Sequence, residues 1–303
     1  MSPQLNEHML TKIFVETDDL YQDFQTWSTR YSAGRLFLPR KRTPNLCPAE
    51  VATIYIAYHI SGYKCFEYYY RECLLKTYGS CFPKAPSYKR FVALTIRALP
   101  LLVLLLLYKC SHAARSGHYF IDSKKLEVCH IKREHSHKVF GLLARKGKGS
   151  MGWFYGLKLH LVINHLGQVV KCMITPANVA DNNHNLLRSL LSGLNGKCAG
   201  DKGYQSALFE EFCERGMQLL VRPRRGMRHL PVCTTDAALL RQRPLIESVN
   251  DILATVCDVE HSRHRNPYHG LANVVAAVIA YQYLPLKPHL FIPGAQNYLQ
   301  QAA

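Results

Sequence analysis

The sequence predicts an α/β protein in which a mixed five-stranded sheet flanked by helices follows an all-helical N-terminal segment. Three observations carry this. Leu157, Leu159, Leu161 and Ile163 alternate with Lys158, His160 and Val162, the period of a half-buried strand. From residue 113 onward such runs come in the order three strands, helix, strand, helix, strand, helix, a layered α/β pattern. Before residue 113 the apolar residues recur at helical spacing instead, as in Ile54, Ile56, Ala57, Ile60 and Tyr63.

Composition narrows the function classes. The 303 residues are 48% hydrophobic, which allows a sizeable core and argues against wholesale disorder. The formal net charge of +17 implies self-repulsion that a polyanion would relieve. Nucleic acid is the first such partner and an anionic membrane surface the second. The 11 cysteines include no Cys-x-x-Cys, which disfavours a disulfide framework or a zinc ribbon and fits a reducing cytosol. The N-terminus lacks a charged start followed by an apolar core, so no secretory signal is expected. The greasiest run, 98–108, contains Pro100, is too short to span a bilayer and reads as a buried helix.

A helical domain is placed at 1–112. Pro48-Ala49-Glu50 makes a first helical turn, and Gly62 and Gly79 divide the segment 47–107 into helices of ordinary length. Ser87 caps a further helix that opens with Lys89 and Arg90. Those side chains suit either a helix-turn-helix or the solvated face of a bundle. A second domain is placed at 113–292. Its first strand, 117–121, ends in Asp122, and a carboxylate in that position suggests a metal or proton task. A basic, histidine-bearing segment leads to strands 153–163 and 168–175, joined at the turn Asn164-His165-Leu166-Gly167 as an antiparallel meander.

Asp181-Asn182-Asn183-His184 then caps a helix to about residue 194. A short strand, 197–200, delivers Asp201 beside Gly203. Helix 206–215 and a fifth strand, 217–221, lead into a basic loop where Arg222, Arg224 and Arg225 are expected on phosphates. Pro244 opens a helix over 245–258. Its apolar arc is Leu245, Ile246, Val249, Ile252, Leu253 and Val256, with Glu247 and Asp251 nearly opposite. Residues 293–303 read as a tail. Gly147-x-Gly149-x-x-Gly152 has the spacing of a dinucleotide fingerprint but precedes a strand rather than opening a helix, so that reading is rejected.

Over essentially its full length the chain resembles bacterial insertion-sequence transposases of the DDE type. The resemblance rests on Ile121-Asp122-Ser123, on the run from Ser150 to His160, on Asp201-Lys202-Gly203-Tyr204, on Arg243-x-x-x-Glu247, and on the segment from Ser262 to Tyr281. It implies an RNase H-like catalytic domain with Asp122, Asp201 and Glu247 as catalytic residues and metal ligands. It implies two Mg²⁺ ions, with Mn²⁺ as substitute, since hard cations prefer carboxylate oxygens. Asp122 would bridge the pair, and Asp251 is the reserve for Glu247. Related transposases carry a basic residue about two helical turns past the glutamate, where this chain has Leu253-Ala254, so the role would pass to Arg263 or Arg265. Arg243 joins the expected DNA contacts.

The implied activity is cleavage and rejoining of DNA at the ends of a mobile element, with water and then a 3′-hydroxyl as nucleophile. Transposon ends and target DNA would be the partners, the assembled form a homodimer on DNA, the location the cytoplasm at the nucleoid, and no membrane would be involved. Two other classes remain open. One is an inactive DNA-binding relic. The other is a tyrosine recombinase using Tyr268 beside Arg263-His264-Arg265, which would need no metal and would form a covalent DNA adduct.

Overall fold

In the N-terminal third, helix boundaries follow from local chemistry. The computed structural model describes residues 5–31, 45–149, 152–222, 233–260 and 264–292. Arg224, Arg225, Arg263 and the tail therefore lie outside the described residues. Helix α1 spans Glu7–Tyr31 and α2 spans Pro48–Ser61. Cys47 caps α2 in a capping box with Glu50, Pro48 sits in the first turn, and Gly62 ends the helix at φ 80°, a left-handed conformation that favours glycine. The expected apolar stripe is an understatement, because α2 is buried from Val51 through Ser61 on every side. A broken helical stretch comes next, α3 (Phe66–Tyr68) running through a π-turn into α4 (Leu75–Thr77).

Helix α5 (Tyr88–Ser111) continues through Pro100 and absorbs the greasy run. By length and composition it could cross a membrane, unlike the short run alone. Nor is it wholly buried as expected. Leu94, Leu101, Leu102, Leu105 and Leu106 are buried, whereas Val103 and Leu107 are exposed.

The sheet belongs to a second compact unit and, among the described residues, has six strands rather than five. They are β1 (His118–Cys129), β2 (Arg145–Gly149), β3 (Gly152–Asn164), β4 (Val169–Pro176), β5 (Gly196–Gly200) and β6 (Met217–Val221). Their order is β2-β3-β1-β5-β6, with β4 also on β3. The added strand is β2, drawn from the basic segment. Its glycines meet those of β3 at Gly149↔Gly152, so the glycine-rich run closes an antiparallel pair. Gly156 is dictated by crowding, since a Cβ there would lie 2.0 Å from the Leu126 carbonyl oxygen.

Two burial expectations change. Strand β1 does not stop at Asp122 but runs seven residues further, to Cys129, antiparallel to β3. Strand β3 is buried on both faces from Leu157 on, so Lys158 and His160 are interior rather than solvated. One face of the sheet packs Tyr119, Ile121, Val162 and Cys198 against Leu186, Leu187, Leu190 and Phe212. Those last residues lie on α6 (His184–Leu191) and α7 (Phe209–Glu214). Within the capping run Asp181-Asn182-Asn183-His184, Asn183 is the residue that caps α6, accepting from the Leu186 N–H at 3.1 Å. Helix α8 (Thr234–Arg241), which sequence reading omitted, contacts β5 and β6. Helix α9 spans Pro244–Thr255.

The last helix among the described residues, α10 (Pro267–Tyr283), packs on α2. The compact units group 1–109 with 252–285, and 110–251 with 286–303, so the C-terminal helix joins the helical unit.

Candidate active site

Strand pairing sets two of the predicted acids side by side. Parallel strands β1 and β5 end their register at Ile121↔Gly200, and Asp122 and Asp201 are the next residues on each. Neighbouring strands lie about 4.8 Å apart. Alternation puts Asp122 on the face opposite Ile121, and the same count from Cys198 puts Asp201 on that face too. Glycine at position 200 follows from packing, since a Cβ there would sit 2.9 Å from Ile121 and 3.3 Å from Tyr204.

Asp122 is a half-buried carboxyl in a crowded field. Burial is the main force that pushes its pKa up to about 6; Asp181 and Asp201 add to the rise, while the Ser123 backbone hydrogen bond and Arg243 oppose it. Asn250 Nδ2 donates to Asp122 Oδ2 at 2.9 Å, which places α9 on this face of the sheet. The contact comes from Asn250, not from Asp251 beside it, which is exposed. Asn250 is 8% exposed, and its Oδ1 has no hydrogen-bond partner among the described residues.

Glu247 stands one turn before Asn250 on α9, and Arg243 lies in the turn just ahead of the helix. Arg243 and Glu247 form an ion pair in which the glutamate is 50% exposed. Among the described residues, no three histidine, cysteine or acidic side chains already converge as a metal cage. Asp122 and Asp201 are thus juxtaposed by the strands, and Glu247 is held by Arg243. Arg222 is exposed just after β6, and Arg265 is exposed in the helical unit.

Sequence reading missed Asp181. With Asn183 capping α6, its carboxylate takes another task. It accepts from buried Lys158 Nζ at 3.0 Å, and the same ammonium also reaches the Val179 carbonyl. His160 is fully buried; its Nε2 meets Thr175 Oγ1, and its Nδ1 lies 3.9 Å from Asp181. Burial pushes this imidazole down to about 4, with Asp181 opposing and Lys158 adding to the fall. The signal was in the strand pattern: lysine and histidine at alternate positions of a strand this apolar need a carboxylate if they turn inward.

A family model described as "Transposase DDE domain" matches residues 112–267, just over half of the chain. No curated protein and no solved structure matches it. The match takes in Asp122, Asp181, Asp201, Arg243, Glu247 and Asn250, and family membership implies DNA as substrate, polynucleotidyl-transferase-type chemistry and general use of a divalent metal. The α/β fold with its mixed sheet and N-terminal helices agrees with such a domain, and the chain belongs to the transposase DDE-domain family, with a function of the transposase type.

Proposed function

We propose that the chain cleaves and rejoins DNA at the ends of a mobile element, with Asp122 and Asp201 as the fixed acids and Glu247 as the third. The observation that carries this is the adjacency of Asp122 and Asp201 at the end of the β1–β5 register, with Asp122 pushed up to about 6. The donor set suits a hard cation: carboxylate oxygens, of which burial disfavours Asp122 as a bare anion, with an orphaned Asn250 Oδ1 beside it. Bound there, Mg²⁺ or Mn²⁺ would activate the attacking oxygen and neutralise the leaving one.

The side chains supply the rest. Asn250 fixes the orientation of Asp122, and Asp122 and Asp201 present their oxygens from adjacent strands. Glu247 joins them when Arg243 turns from it to a DNA phosphate, an exchange for which a guanidinium is suited. Water attacks the phosphorus at the element's end and frees a 3′-hydroxyl, which attacks target DNA with no protein–DNA adduct. The exposed Lys89 and Arg90 at the start of α5 supply phosphate contacts from the helical unit.

The test is strand cleavage of DNA bearing the element's ends, in Mg²⁺ and in EDTA. Metal-dependent nicking is expected in the wild type and its loss in Asp122→Asn, Asp201→Asn and Glu247→Gln. Full activity in EDTA would refute the proposal. DNA binding without cleavage under any metal would identify a relic instead.

A further inference from the structure

The helical unit contains a cavity of about 550 Å³ that the proposed chemistry does not use. Its volume lies within the range of small-ligand sites, about 300–1,000 Å³. The rings of Tyr55, Tyr58, Phe66 and Tyr88 line it. Phe66 meets Tyr55 and Tyr58 edge-on, with centroids 5.3 and 5.1 Å apart. Flat faces in such a setting are what an unstacked base needs.

The polar groups point the same way. Asn273 lines the cavity, is 2% exposed, and its Nδ2 has no hydrogen-bond partner among the described residues. A buried amide donor left open is costly unless something accepts from it. The Thr95 hydroxyl donates to the Val92 carbonyl, so the 2.8 Å contact with His269 Nδ1 has the imidazole as donor. That tautomer leaves His269 Nε2 as an acceptor. Asn273 and His269 thus offer one donor and one acceptor. Arg265 is exposed and also lines the cavity; Lys64 lines it with its ammonium on the Thr255 carbonyl at 2.6 Å and 3.7 Å from Asp258, and Glu67 is engaged by Arg71 at 2.9 Å.

We propose that this cavity is a nucleotide site that takes an unstacked base between the aromatic rings, with Arg265 on its phosphate. The commitment to an unstacked strand base, rather than a free nucleotide, rests on the proposed function, in which the chain works on DNA. Arg265, expected from sequence as a DNA contact, would act here.

The probes are a short single-stranded oligodeoxynucleotide, deoxyadenosine monophosphate and a blunt duplex, with binding followed by anisotropy or calorimetry. Tyr88→Ala is expected to weaken the single strand about tenfold. Val92→Trp, which fills the cavity, should do the same while circular dichroism and duplex affinity stay unchanged. Arg265→Gln should lower the salt dependence of single-strand binding by about one counterion. If the mononucleotide binds as tightly as the strand, and loses affinity equally in Val92→Trp, the site takes free nucleotides. Duplex binding with single-strand and mononucleotide affinities unmoved in both Tyr88→Ala and Val92→Trp would overturn this inference alone. Absence of binding to any DNA would overturn the DNA reading as well.

Discussion

Replacing Asp122 by Asn should destroy cleavage yet make the metal-free protein more stable. In the native fold burial dominates the rise of this carboxyl from 3.8 to about 6, with Asp181 and Asp201 adding to it. The native state therefore holds a proton that the unfolded chain has already lost between about pH 4 and 6. Above pH 6 the buried anion costs stability in full, and the cost fades as pH falls toward 4. The rise corresponds to about 3 kcal/mol, an upper figure because Asn250 also bonds the anion. The neutral amide of Asp122→Asn removes that cost. Thermal unfolding without divalent metal should show the variant melting several degrees higher at pH 8 and the two proteins converging only below about pH 3.8, the unfolded-state value. His160, held at about 4 by burial, loses stability over the same acid range in both proteins and cancels from the difference. A variant equally stable or less stable at pH 8, or a gap that widens on acidification, would refute the reasoning.

Other substitutions separate structure from chemistry. Glu247→Gln breaks a pair whose glutamate is half exposed, so unfolding should shift by less than about 0.5 kcal/mol while cleavage is lost. Asp181→Asn leaves the buried Lys158 ammonium without its carboxylate and should cost about 3 kcal/mol in denaturant unfolding, much of it recovered by adding Lys158→Met. Gly156→Ala drives a methyl against the Leu126 carbonyl and should destabilise the sheet by at least about 2 kcal/mol, measurable as a lowered melting temperature.

What the sequence made legible was local or motif-borne. Alternation found β3, the turn at Asn164–Gly167 marked the start of β4, and Pro48 and Gly62 bounded α2. Both aspartates were found because each follows a short apolar strand, and the strand register then brought them together. What stayed hidden depended on partners distant in sequence. Strand β2 reads as a basic loop because Arg145, Lys146 and Lys148 mask it, and only β3 makes it a strand. Asp181 was read only as part of a capping run because nothing nearby announces Lys158, twenty-three residues upstream. Asn250 was passed over for Asp251 because the helical wheel ranks charge, whereas the fold brought the amide to Asp122. The cavity in the helical unit needs α10 to return to the N-terminal helices, which no local pattern encodes.

The most direct test of the account counts cations rather than products. Mn²⁺ binding to the protein on DNA bearing the element's ends, followed by electron paramagnetic resonance or calorimetry, should show two bound ions per active site in the wild type. Asp122→Asn should bind neither, and Asp201→Asn no more than one. Stoichiometry unchanged by both substitutions would contradict the claim that these neighbouring carboxylates hold the catalytic ions.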